Sequence, residues 1–244
     1  MKNEINEYKK IINEYKNPKI IPNKLNIKIN IFLILLCYAI YIIEYFFMPT
    51  KITEFFLKKL NLSVTTYFVI LDLIMLFIVI LCFFKELKGS YNNFKTQIKK
   101  YLQYLLYSLV TFSILNFIIT IICNLLIKDI PSNQTAVESL NIGYIIFSTL
   151  IYAPLVEEIL FRGMLKKLIK NNYIFILTSG LIFGLLHVIG SSSLIQYLYI
   201  FVYGLCGMYL ATLYSKYNNI YLNMVAHFIL NFAGVIHILI NFIK

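Results

Sequence analysis

Charged residues are scarce in this chain of 244 residues. They make up 14% of the sequence, whereas a soluble globular domain carries about 25%. Hydrophobic residues make up 60%. So little charge excludes a soluble globular enzyme, and so much apolar sequence excludes a disordered chain. The composition therefore predicts an integral membrane protein.

Three other patterns are missing. No ten-residue segments alternate apolar and polar residues, which argues against a transmembrane β-barrel. No internal repeat is visible, although transporters usually contain one. The four cysteines have no metal-ligand spacing such as C-x-x-C, and we interpret them as buried hydrophobes: Cys37, Cys82, Cys123 and Cys206. The spans are therefore predicted to be helices, which satisfy their own backbone hydrogen bonds in hydrocarbon.

Seven stretches approach the roughly 20 apolar residues that a spanning helix needs. They are Ile29–Met48, Ser63–Phe84, Tyr101–Ile127, Asn141–Leu165, Tyr173–Ile189, Leu194–Ser215 and Ile220–Ile243. The predicted fold class is an all-α membrane bundle of about seven transmembrane helices, and an eighth, re-entrant segment stays open. We divide the chain into a basic segment (1–28), three N-terminal helices (29–140) and a four-helix core (141–244).

Basic residues outnumber acidic residues by 22 to 11, which gives a net charge of +11. The lysines lie between apolar runs, so the predicted partner of this charge is the membrane surface and not nucleic acid. Connections on one side of the predicted spans, including the loop over Lys85–Lys100, carry 17 basic residues, and those on the other side carry five. This bias predicts a cytoplasmic N-terminus. The rich use of lysine, asparagine and isoleucine suggests a bacterial cell membrane.

Two adjacent carboxylates stand in the apolar fourth span. Glu157 and Glu158 follow Pro154 by a few residues, and each charge inside a membrane costs about 2.5 to 3.5 kcal/mol. Arg162, the single arginine beside 21 lysines, lies four residues after Glu158 and can pair with it on one helix face. Glu157 then faces elsewhere, about 100° round the helix, as a candidate general base. The alternative is a purely structural cluster of these charged side chains between helices.

The fifth and seventh spans supply four further polar side chains. His187 follows the pair Gly180 and Gly184, whose spacing permits a neighbouring helix to approach closely. Span seven carries Asn223, His227 and Asn231 along one stripe. From the rise per residue, the stripe's His227 and Asn231 and the two glutamates lie roughly 8 to 18 Å from the cytoplasmic side, and His187 about 20 Å.

These depths allow one intramembrane pocket. A carboxylate, two imidazoles and a carboxamide can together hydrolyse an amide, because one group takes a proton from water while others stabilise the oxyanion. The competing interpretation is hydrogen bonding between helices. Asp72, near the middle of span two, either pairs structurally or serves function.

The three motifs Glu157-Glu158-x-x-x-Arg162, Phe183-x-x-x-His187 and His227-x-x-x-Asn231 resemble the CAAX-protease and bacteriocin-processing (Abi) family of intramembrane proteases. The resemblance covers roughly residues 141–243. It implies that the first glutamate and His187 activate water and that His227 and Asn231 stabilise the oxyanion. Glu158 and Arg162 would hold the geometry of the site.

The resemblance leaves cofactor and substrate open. Zinc bound by Glu157, His187 and His227 and a metal-free mechanism are both compatible with the motifs. The expected substrate is a membrane-associated peptide, such as a CAAX-like tail, a leader or a bacteriocin peptide. Two alternatives to an enzyme are a bacteriocin-immunity or scaffold protein and, less favoured, a transporter.

Overall fold

The computed structural model describes residues 30–47, 57–59, 61–127 and 131–243, together with Lys9 and Asn13. Most of the basic segment predicted over residues 1–28 therefore lies outside the described residues. The described part is helical and contains no strand. Its helices are α1 (Ile31–Phe47), α2 (Val64–Leu126), α3 (Ser132–Glu138), α4 (Ile142–Leu168), α5 (Asn172–Val188), α6 (Leu194–Tyr217) and α7 (Ile220–Ile243).

The apolar helices confirm the predicted all-α membrane bundle. Helices α2, α4, α6 and α7 are long and apolar enough to cross a bilayer, and α1 and α5 are shorter apolar helices. The boundaries predicted for the last four spans agree with α4 to α7 to within three residues. The chain is an integral membrane protein, and the number of seven spans stays a prediction.

The loop predicted over Lys85–Lys100 is wrong, because these residues are helical and join two predicted spans into α2. The segment KELKGSYNNFKTQIKK has one glycine and no proline, and lysine, glutamate and glutamine are good helix formers. Its charges indicate where the chain meets water, but they do not end a helix. Helix α2 begins after Ser63, whose Oγ accepts a hydrogen bond from the Thr66 N–H at 3.1 Å.

Helix α2 is bent. A straight helix of 63 residues would be about 95 Å long, so Asp72 and Asn116 would lie about 66 Å apart. Both residues line one cavity. The N-terminal arm of α2, which contains Asp72, and the C-terminal arm, which contains Asn116, must therefore turn towards each other. The Tyr144 hydroxyl donates to Asp72 at 3.0 Å on one arm, and the Tyr199 hydroxyl donates to Asn124 at 2.7 Å on the other. The bend therefore lets α2 enclose the bundle from two sides.

Helices α5 and α6 pack with their backbones in close contact. A Cβ atom added at Gly184 would lie 2.8 Å from the carbonyl oxygen of Ile200, and one at Gly180 would lie 2.9 Å from that of Gly204. Real Cβ atoms do not approach so closely, so both positions need glycine. The close approach predicted from the glycine spacing is present, and the neighbouring helix is the next one in the chain.

Helix α1 packs against the N-terminal part of α2, which contains Asp72 and Cys82. The Sγ atoms of Cys37 and Cys82 lie 3.8 Å apart, and both cysteines are reduced. We expect treatment of membranes with iodine to join them in a disulfide, with two electrons passing to iodine and two protons to water. Mass spectrometry of proteolytic fragments would detect the linked peptides, and Cys37→Ser is the control. Absence of the link, with the same oxidant joining an engineered cysteine pair elsewhere in α2, would contradict this packing.

Candidate active site

A proline in α4 explains the position of one predicted site residue. Residues Ser148–Tyr152 form a π-helical turn, in which the N–H of Ala153 donates to the carbonyl oxygen of Ser148, five residues back. The next bond in this register would run from residue 154 to Thr149, but Pro154 has no N–H. The Nδ2 atom of Asn231 donates to the Thr149 oxygen instead, at 2.8 Å. The missing helix bond thus fixes Asn231 of α7 against α4.

A second π-helical segment of α4, Ile159–Met164, is held by hydroxyl groups from two neighbours. The Tyr38 hydroxyl of α1 donates to the carbonyl oxygen of Leu160 at 2.6 Å. The Ser179 hydroxyl of α5 donates to the carbonyl oxygen of Phe161 at 3.2 Å. Single π turns in α-helices are frequent at functional sites. Here two of them flank the pair of glutamates.

Glu158 is the centre of a buried hydrogen-bond network. Arg162 Nη1 and His227 Nδ1 each lie 2.8 Å from its Oε1, and Asn223 Nδ2 donates to its Oε2 at 3.1 Å. The Glu158 and Arg162 side chains are 0% exposed. Arg162 also donates to the carbonyl oxygen of Gly207 in α6, at 3.3 Å. The ion pair predicted from the i, i+4 spacing is present, and it links α4, α6 and α7.

Glu157 has a different environment from its neighbour. It is half-buried and lines a cavity of about 670 Å³. The Tyr41 hydroxyl of α1 lies 3.4 Å from its Oε1 and donates to it. Sequence reasoning missed Tyr41, because it is one of 20 tyrosines and no motif marks it.

His187 is held between two aromatic rings. Its imidazole stacks on Phe183 at 4.4 Å and on Tyr203 at 4.7 Å between ring centroids. The sequence did not indicate the contact with Tyr203. Its Nδ1 lies 2.8 Å from the carbonyl oxygen of Phe183. Because a carbonyl only accepts, Nδ1 must carry the proton. The Nε2 of the neutral ring therefore carries the lone pair.

His227 has the same tautomer for a different reason. Its Nδ1 faces the Glu158 carboxylate, which the Arg162 ion pair keeps as an acceptor, so Nδ1 donates and the Nε2 of the neutral ring carries the lone pair. Asn231 still has one N–H beyond the one that it donates to Thr149.

Four of the six predicted site residues meet on the wall of this cavity: Glu157, His187, His227 and Asn231. The other two, Glu158 and Arg162, lie behind the wall. Most of the remaining lining is aromatic or aliphatic and includes Phe68, Phe112, Phe161, Phe183, Leu140, Leu186, Val202 and Leu230. The cavity therefore presents a few polar groups in an apolar pocket, the pattern of a ligand or substrate site.

The predicted zinc ligands do not form a metal site in the described part of the chain. Each histidine has the Nδ1–H partner that metal-binding histidines usually have. Among the described residues, however, no three histidine, cysteine, aspartate or glutamate side chains converge as ligands. The present positions of Glu157, His187 and His227 do not fit a three-ligand metal ion.

Comparisons with known proteins support the resemblance found in the motifs. Residues 139–233 match the family described as type II CAAX prenyl endopeptidase Rce1-like, and all six predicted site residues lie in this range. The chain is 36% identical over 110 residues to UPF0177 protein YvdC of Lactococcus lactis subsp. lactis (strain IL1403). That alignment covers 43% of this chain and 40% of the relative. No solved structure matches.

Proposed function

Starting from the Rce1-like family of residues 139–233, we propose that the protein is an intramembrane endopeptidase that hydrolyses peptide bonds of membrane-associated substrates. One observation carries the proposal: a carboxylate, two imidazoles and a carboxamide line a single cavity in the membrane bundle. Structural hydrogen bonding alone would not require these groups to share a cavity.

Water activation falls to Glu157 and His187. Glu157 reaches the cavity, and an ionised carboxylate can take a proton from an attacking water. His187 presents the Nε2 lone pair, which accepts a hydrogen bond from the same water and orients it. The rings of Phe183 and Tyr203 stack on the two sides of the imidazole and keep it in place. The water oxygen then attacks the carbonyl carbon of the substrate.

Stabilisation of the oxyanion falls to Asn231 and His227. The second N–H of Asn231 is the donor present at rest. His227 donates from Nε2 once the proton that Glu157 takes from water has passed to its ring, and the Glu158 carboxylate on Nδ1 then stabilises the imidazolium. The same proton then passes from His227 to the leaving nitrogen. The second proton of the water moves from the new carboxylic acid to the amine, so the products are one carboxylate and one ammonium.

The substrate class follows from the cavity and the family. Apolar and aromatic lining favours a peptide with apolar residues beside the cleaved bond. The family description makes a CAAX-like tail the first candidate, and leader or bacteriocin peptides are the others. We place the site in a bacterial cell membrane, with the N-terminus in the cytoplasm.

Comparison of membrane peptides between two bacterial strains tests the proposal. One strain makes the native chain, and the other makes His187→Ala at the same level. We expect new peptide termini only with the native chain. When the native chain cleaves its substrate in H₂¹⁸O, the new carboxylate should contain ¹⁸O. Identical termini in both strains would favour the non-enzymatic scaffold interpretation.

A further inference from the structure

Helix α1 lies outside residues 139–233, yet it contacts α4 at the glutamates. Tyr38 and Tyr41 stand one turn apart on α1, and both rings pack against Phe161, at 6.3 and 5.6 Å between centroids. The Tyr38 hydroxyl bonds to the backbone of Leu160, and the Tyr41 hydroxyl bonds to the carboxylate of Glu157. We propose that Tyr41 is a positioning residue that holds the Glu157 carboxylate for water activation, so that α1 completes the active site. This inference rests on the proposed function.

The Tyr41 hydroxyl has a fixed position. The side chain is only 8% exposed, and its ring meets Phe161 edge-on at an interplanar angle of 81°. Glu157, in contrast, projects from the wall of an open cavity on a side chain with three rotatable bonds. A hydrogen bond from a fixed donor therefore selects one orientation of the carboxylate. The bond is 3.4 Å long, and such bonds in empty active sites often shorten when substrate binds.

The position of α1 itself depends on packing with α2. Ile34 and Cys37 are buried, and Cys37 contacts Cys82 of α2. Tyr41 lies one turn beyond Cys37 on the same side of α1. Removal of α1 from this position would withdraw the hydroxyl from Glu157 without changing any residue of the three motifs. The requirement for Tyr41 is thus a requirement for a docked α1.

The experiment compares Tyr41→Phe with Tyr38→Phe in the full chain in lipid nanodiscs. The probe is a quenched fluorescent peptide built on a cleavage site found in the strain comparison. Tyr41→Phe should lower kcat by about 10- to 100-fold, the effect of losing a hydrogen bond to a charged group, and should leave KM within twofold. Its pH–rate profile should also change. Tyr38→Phe, the matched control, should lower the melting temperature and leave kcat within twofold.

A double-mutant cycle keeps the inference falsifiable if Tyr41→Phe also loses stability. If Tyr41 acts through Glu157, then Tyr41→Phe should cause no further loss of kcat in the Glu157→Gln background. A normal kcat for Tyr41→Phe, a rise in KM alone, or additive losses in the cycle would overturn the positioning role. The proposed function fails separately, if Glu157→Gln itself keeps the wild-type rate.

Discussion

Glu157→Gln is expected to lower the rate of peptide cleavage by about 10² to 10⁴. Glutamine has nearly the same size and shape as glutamate and can accept the hydrogen bond from Tyr41, but it cannot take a proton from water. Glu157 is half-buried on the cavity wall, outside the ion-pair network of Glu158. The substitution should therefore remove chemistry and leave the fold intact.

The measurement is cleavage of the fluorescent peptide by purified variants, with thermal melting as the check on folding. Glu138→Gln makes the same chemical change on the exposed surface of α3, where the carboxylate accepts a hydrogen bond from Gln134. This control should keep the wild-type rate. A well-folded Glu157→Gln variant at the wild-type rate would refute the general-base role, and the scaffold interpretation would then be preferred.

Arg162→Ala is expected to cost about 3 to 5 kcal/mol of stability, because it leaves the carboxylate of Glu158 buried without its cation. Arg162→Lys should cost less, because the charge is kept. It should still lose activity, because one ammonium cannot reproduce the two contacts of the fork, to Glu158 and to the Gly207 carbonyl.

Thermal and denaturant unfolding in detergent would measure these losses. Lys216→Ala removes a cation from an exposed position of α6, where the ammonium lies 4.4 Å from the centroid of the Tyr104 ring. That control should cost about 0.5 to 1 kcal/mol. If Arg162→Ala were no more destabilising than Lys216→Ala, the prediction that the buried pair stabilises the fold would be wrong.

Local sequence patterns predicted much of the fold and part of the candidate site. Runs of apolar residues predicted most helix ends, because the bilayer sets the length of a span. The spacing of Glu158 and Arg162 predicted their pair, because four residues make about one helical turn. The lysine-rich segment of α2 was misinterpreted as a loop, because charge reports contact with water and not helix termination.

Contacts between helices could not be predicted from one sequence. The stripe of Asn223, His227 and Asn231 was visible, but its partners were not: the first two face Glu158, and Asn231 faces the carbonyl of Thr149. That carbonyl is open only because a π turn precedes Pro154, and helix register of this kind depends on packing. Tyr41 was likewise invisible, because its role depends on how α1 docks.

If the protein cleaves peptides as proposed, the charge of the cavity wall also affects how the products leave. Among its described lining residues, the formally charged ones are Asp72 and Glu157, both acidic, in a chain with a net charge of +11. After cleavage, the fragment with the new carboxylate meets a wall of like charge in a medium of low dielectric constant, whereas the fragment with the new ammonium is attracted. The two halves of a cut peptide should therefore dissociate in a fixed order, with the carboxylate fragment first. Inhibition by product should accordingly come mainly from the amine fragment.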